Sequence, residues 1–125
     1  MITTKDGTKK PVVFISVPMH GKDEFVIKRH IQIVKAWYLK GTNQNLKDVC
    51  FIDNFDNGKK DERFENSIHP RISYLARAIK RIANADIVIF GHDWRKSPGC
   101  NIENEVALTY KIPTMYYYHK IENKE

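Results

Sequence analysis

The segment GHDWRKSPGCNIENEVA, residues 91–107, carries two carboxylates two positions apart, Glu103 and Glu105, in a stretch of helical composition. Residues i and i+2 of a helix point about 200° apart, so the two cannot share one pocket. One can face a site while the other faces solvent. A carboxylate one turn into a helix can act as nucleophile toward an electrophilic sugar carbon or as base for water. It can equally be a complement to the helix dipole.

Other polar residues gather with Glu103 only if the fold brings them together. Three segments leave apolar, strand-like runs: 16–22, 53–67 and 91–101. Between them they offer Ser16, His20, Lys22, Asp53, His92, Asp93, Trp94, Ser97, Asn101 and Glu103. The loop SVPMHGK (16–22) meets a helix start, where backbone N–H groups and the dipole favour an anion, with His20 and Lys22 adding to it. The alternative is a plain strand-to-helix turn capped by Asp23. Ser97, before the segment that carries Glu103, caps that helix or binds an anion. Trp94 stacks on a base or shields the end of the sheet. Neither G-x-x-x-x-G-K-S/T nor G-x-G-x-x-G occurs, and no His or Cys spacing suits a metal.

The elements that must position these residues follow from periodicity. PVVFISV (11–17), DVCFIDNF (48–55), DIVIFG (86–91) and IPTMYYY (112–118) are apolar runs of strand length. Between the first two, Phe25, Ile27, Ile31, Val34 and Trp37 or Tyr38 recur at helical spacing, and Gly41 stops the helix. Residues 56–70 are polar without a period and read as a loop. A second helix from Pro70 places Ile72, Leu75, Ala76, Ile79 and Ile82 on one stripe. A third, over 99–111, places Ile102, Val106 and Tyr110 on its buried side. The order β-α-β-loop-α-β-α-β predicts a single-domain, flavodoxin- or Rossmann-like α/β three-layer sandwich with a parallel sheet of four or five strands. Ligands in such sheets bind beyond the carboxyl ends of the strands, near a topological switch point.

The totals set limits. At 125 residues the chain suits one domain, 1–125, with flexible ends over 1–10 and 119–125. No run of about 18 apolar residues predicts a transmembrane helix. The start, MITTKDGTKKP, lacks the apolar core of a secretory signal. With Cys50 and Cys100 far apart, a reduced, cytoplasmic chain is the simple reading. The net charge of +6 favours anionic partners, but the basic residues are scattered and no arginine-rich tract marks a nucleic-acid surface. No metal or organic cofactor is implied.

With VFISVPMHG (13–21) and ANADIVIFGHDWRKSPGCNIENEVALTYKIPTMYY (83–117) both in view, the chain resembles the nucleoside 2-deoxyribosyltransferase-like superfamily. It is most similar to a small bacterial and phage branch with an I-S-G-P-M-T-G-like strand-one motif and a W-x-x-S-x-G-C-x-x-E-x-x-x-A pattern. These fall on Ile15 to Gly21 and on Trp94, Ser97, Gly99, Cys100, Glu103 and Ala107. The resemblance implies a nucleoside or nucleoside 5′-monophosphate N-glycosidase or deoxyribosyltransferase, with Glu103 attacking C1′ and water or a second base resolving the intermediate. The candidates for substrate contact are Ser16, Met19, His20, Gly21, Asp93, Trp94, Ser97, Gly99 and Asn101, with Asp93 toward the base and Ser16, His20 and Ser97 toward the sugar or a 5′-phosphate. The resemblance also implies a homo-oligomer whose neighbouring subunits complete the site, for which the Tyr116–Tyr118 aromatics are candidates if they are not core strand. Three positions depart from the pattern: Val17 stands for a glycine, His20 for a threonine, and Ala78 where the characterised enzymes carry an aspartate. The alternative function is a non-catalytic module of the same fold that senses or sequesters a nucleotide. A nucleic-acid-associated role rests on charge alone.

Overall fold

The computed structural model describes residues 2–3, 9–56 and 60–118. The expected flexible ends therefore lie largely outside the described residues. Two short strands, β1 (Ile2–Thr3) and β2 (Lys9–Lys10), pair antiparallel, a hairpin the sequence reading did not anticipate. The chain then enters the main sheet at β3 (Val12–Ser16), whose β-branched and aromatic residues are all buried. Both faces of a central parallel strand are covered, so it must be apolar throughout.

The helix α1 (Glu24–Thr42) follows, with Asp23 accepting from the Phe25 N–H at its start and Asn43 in the left-handed region at its end. It runs one residue past Gly41 before stopping. Its buried residues, Ile27, Ile31, Val34 and Tyr38, are those the spacing predicts, while Phe25 is exposed at the first turn. After a 3-10 turn (Leu46–Asp48) comes β4 (Cys50–Asp53). Residues 56–70 are not a continuous loop: a single-turn helix, α2 (Glu62–Glu65), is capped by Asp61 and packs Phe64 edge-on against Tyr74. One turn with one aromatic is too short to show a period.

Next are α3 (Pro70–Ile82), β5 (Ile87–Phe90), a 3-10 turn (Trp94–Lys96), α4 (Pro98–Thr109) and β6 (Thr114–Tyr116). The strand order is β4-β3-β5-β6, all parallel. The fold is the predicted α/β three-layer sandwich with four strands in its parallel sheet. Connections leave β3 in one direction and β5 in the other, so the switch point lies between these neighbours. With right-handed crossovers this puts α1 on one face and α3 and α4 on the other. The core divides accordingly. Val13, Ile15 and Ile89 pack with α1, whereas Phe14, Val88 and Phe90 pack with Ala78 and Ile82 of α3 and Cys100 and Ala107 of α4.

Two helix phases differ from expectation. In α3 the buried residues are Ala78 and Ile82, while Ile72 and Ala76 are exposed. In α4 the expected inner residues Ile102 and Tyr110 are 46% and 75% exposed, and the inner stripe is Cys100, Glu103, Asn104 and Ala107. Small residues let a helix approach a sheet closely, and here that outweighs turning the largest apolar side chains inward.

The site end of the sheet is held by a close approach at Gly91. A Cβ there would stand 2.7 Å from both His30 Nε2 and Val17 Cγ1. The His30 Nε2 accepts the backbone N–H of His92, tying α1 to the loop after β5. Gly91→Ala should therefore destabilise the fold by about 2 kcal/mol, as overpacking of a tight core does. Urea denaturation checks this, and unchanged stability would contradict the packing described.

Candidate functional site

Ser16 is the last residue of β3 and points to the α4 side, because side chains alternate along the strand and its neighbour Ile15 packs against α1. Its hydroxyl donates to Glu103 Oε1 at 2.6 Å. Ser16 Oγ also lies 3.2 Å from Cys100 Sγ, one turn earlier on α4. A hydroxyl has one proton, and the carboxylate is the stronger acceptor. The thiol, which burial pushes up and so keeps protonated, can donate to the free lone pair of Ser16. Glu103 is 8% exposed, and none of the described residues donates to its Oε2. A Cβ at Gly99 would stand 4.0 Å from that oxygen. Glu105 is exposed, so of the two carboxylates only Glu103 faces inward.

Glu103 lines a small cleft, enclosing about 10 Å³, at the carboxyl edge of the sheet. Ser16, Val17 and Met19 border it from β3 and the loop beyond, Ile31 from α1, and Asp53 and Asn54 from the end of β4. This is where a parallel sheet binds ligands. The β4 end is fixed by two arginines of α3. Arg77 donates to Asn54 Oδ1 and to its carbonyl, Arg81 donates to the Asp53 carbonyl, and both pair with Asp56. The Arg81 hydrogen bond, chiefly, holds the Asp56 carboxyl below its ordinary value. Asn54 completes the tie by donating to the Tyr74 carbonyl.

The residues expected at the site divide into three groups. Ser16, Met19 and Glu103 line the cleft, and Gly99 lies beside the Glu103 carboxylate. His20 and Gly21 sit exposed on the turn after β3, where Gly21 takes φ +75 and Lys22 N–H closes on the Met19 carbonyl. Asp23 caps α1 and Glu24 follows in its first turn, so carboxylates already occupy that helix start. The remaining four are taken up by the β5–α4 connection. Asp93 faces Lys96 and His92 at 3.6 Å, and Ser97 caps α4 through the Cys100 N–H. Asn101 donates to the carbonyls of Arg95 and Ser97. Trp94 is buried against Phe90 and Tyr116, which resolves its two readings in favour of shielding the sheet end. Its indole Nε1 is buried without a partner among the described residues. Tyr116 is likewise half-buried, stacked on Phe90, while Tyr118 is exposed.

Sequence reasoning singled out Asp53 only as one of a polar set and passed over Asn54 and Arg77. Arg77 lies on what reads as the solvated face of α3, and no spacing signals that it reaches back to β4. Ala78, the position of the expected aspartate, is fully buried in the core. Among the described residues no group of three or more His, Cys, Asp or Glu could hold a metal, and no helix is long and apolar enough to cross a membrane.

Burial pushes Glu103 from an ordinary 4.5 up to about 7, against the Ser16 hydrogen bond, which pulls it down. A carboxyl raised in the folded state contributes stability that is complete below its unfolded value and lost as pH rises through its folded value. The protein should therefore weaken between pH 5 and pH 8, by roughly 2–3 kcal/mol from this group. Glu103→Gln keeps an acceptor for Ser16 and stays neutral, so its stability should hold across that range. Denaturation of both proteins at the two pH values checks this, and parallel pH dependences would refute the assignment. No family model, curated protein or solved structure matches the chain.

Proposed function

We propose that the chain is an N-glycosidase or 2-deoxyribosyltransferase acting on a nucleoside or nucleoside 5′-monophosphate. The observation that carries this reading is the buried Glu103 carboxylate, hydrogen-bonded through one oxygen to Ser16, with the other free beside Gly99 in a cleft at the sheet's carboxyl edge. A surface carboxylate serving only the helix dipole needs no burial, whereas a nucleophile gains from being desolvated and oriented.

In this mechanism Glu103 Oε2 attacks C1′ of the sugar. The C1′–O bond forms as the C1′–N bond breaks, and the electron pair leaves with the base, which takes a proton from solvent at the cleft mouth. Water, or the nitrogen of a second base, then attacks C1′ and releases Glu103 as a carboxylate. Ser16 keeps the attacking group in one rotamer. The site is fully active only with Glu103 ionised, so activity rises with pH through about 7. The resemblance to the nucleoside 2-deoxyribosyltransferase-like superfamily, in which a G-x-x-x-E glutamate has this role, supports the same reading at Gly99 and Glu103.

A second reading, a binding module without turnover, is favoured by the buried alanine at position 78, where that superfamily carries an acid. The two are separated chromatographically, by incubating the protein with deoxy- and ribonucleosides and their monophosphates, with and without an acceptor base. Released or exchanged base should appear and should be lost, by at least about a thousandfold, in Glu103→Ala. Stoichiometric binding with no base release would establish the module instead. Ser16→Ala removes the bond that lowers the Glu103 pKa, so the acid limb of its kcat/KM profile should move to higher pH. An unmoved limb would detach Ser16 from the nucleophile. Gly99→Ala is expected to raise Tm, since alanine favours the helix and its Cβ would stand at an ordinary 4.0 Å contact from Oε2.

A further inference from the structure

Asp53 and Glu103 reach the same cleft from opposite faces of the sheet. Asp53 is in parallel register with Ile15. Paired residues of neighbouring strands share a face, and Ile15 packs on the α1 side. The pairs before it follow the same rule, Phe51 lying with the α1 cluster and Ile52 with the α3 and α4 cluster. Asp53 thus stands on the α1 side of the edge, while Glu103 comes from α4 and meets Ser16 on the other. One Asp53 oxygen, Oδ1, accepts the Phe55 N–H at 2.7 Å in a tight turn. An ionised carboxylate has lone pairs for further donors, and the carbonyl of the same residue is held by Arg81. The group is therefore fixed in place and has accepting capacity left.

Among the described residues the lining includes these two carboxylates and no lysine, arginine or histidine. The two arginines that hold the β4 wall of the cleft are engaged with Asp56 and the strand end. The α1 start, which would be the natural seat for an anion, carries Asp23 and Glu24. The cleft encloses about 10 Å³, roughly room for one water or hydroxyl, so a ligand reaches the two carboxylates with a hydroxyl from the open side.

Resting on the reading above, we infer that Asp53 is the specificity-determining residue of the site: it accepts hydrogen bonds from the sugar hydroxyls across the sheet edge from Glu103, and its charge excludes a 5′-phosphate. The site then selects unphosphorylated nucleosides, although the chain as a whole is basic. The +6 net charge belongs to outer surfaces, whereas selection is made by the groups that line the cleft. A hydroxyl gives a carboxylate a short, charge-assisted bond, while a phosphate brought there meets like charge.

The test is calorimetric titration of the full chain with carbocyclic 2′-deoxynucleosides and their 5′-monophosphates, whose C1′–N bond does not hydrolyse. The wild-type protein should bind the nucleoside at least about tenfold tighter than the monophosphate. Asp53→Asn retains an acceptor for the Phe55 N–H and should fold, as circular dichroism will show. It should bind the nucleoside more weakly and the monophosphate more tightly, closing most of that gap. Salt gives a second measurement on the unmutated protein, since screening should narrow the same ratio. A monophosphate that binds more tightly than the nucleoside overturns this inference and leaves the glycosyl-transfer reading standing. An Asp53→Asn protein that loses both ligands equally overturns the role of Asp53. Binding of neither ligand to the wild-type protein, with no base released from the natural nucleosides, overturns both proposals.

Discussion

A carboxylate with 8% of its surface exposed is the constraint around which this end of the molecule is arranged. Removing such a group from water is costly unless it is neutralised or hydrogen-bonded. Here it is partly both: one oxygen takes the Ser16 hydroxyl at 2.6 Å, and burial raises its pKa to about 7. That bond needs the last side chain of β3 to point toward α4, and it needs α4 to present Glu103 rather than Ile102 to the sheet. Both conditions are met only with β3 central in the order β4-β3-β5-β6 and α4 on the face opposite α1.

The phase of α4 is secured on both sides of Glu103. Cys100 and Ala107 are small enough to bring the helix close to Phe14, Val88 and Phe90. Asn104, the next residue, donates to the Tyr116 hydroxyl on β6. Tyr116 stacks on Phe90, and Trp94 closes against both. The helix start is fixed by the Ser97 cap and by Pro98 in the first turn. A polar inner face is tolerable because its members find partners: Glu103 with Ser16, Asn104 with Tyr116. Rotating the helix to bury Ile102 and Tyr110 would gain apolar contact but would strand these groups.

The other wall of the cleft is built differently. Arginines hold Asn54 and Asp53, reaching from α3 across to the end of β4. Arg77 is stacked on Phe64 and Tyr74 as well as bonded to Asn54, so α2, α3 and the strand end form one connected unit. This network uses positive charge for structure close to a cleft whose own lining is negative. Net charge is therefore a poor guide to what the cleft accepts.

Much of the architecture was legible in the residues. Four apolar runs separated by amphipathic stretches specify a parallel α/β sandwich because each run must be covered on both faces, and the inner residues of α1 follow from spacing alone. The resemblance and the G-x-x-x-E spacing marked Glu103, and the 200° offset separated it from Glu105. What the chain alone did not reveal has a common physical cause: each case depends on a neighbour distant in sequence. The phases of α3 and α4 depend on how closely each helix meets the sheet. The one-turn α2 is held by Tyr74 across the α2–α3 packing. Trp94 and Asn101 are residue types that bind ligands, but here a stacked ring and two carbonyls occupy them. Asp53 lines the cleft, and Asp93 does not, because strand register put Asp53 there and the loop after β5 turned Asp93 toward Lys96. Local spacing determines which faces exist, whereas only the packed sheet decides which polar groups share one cleft.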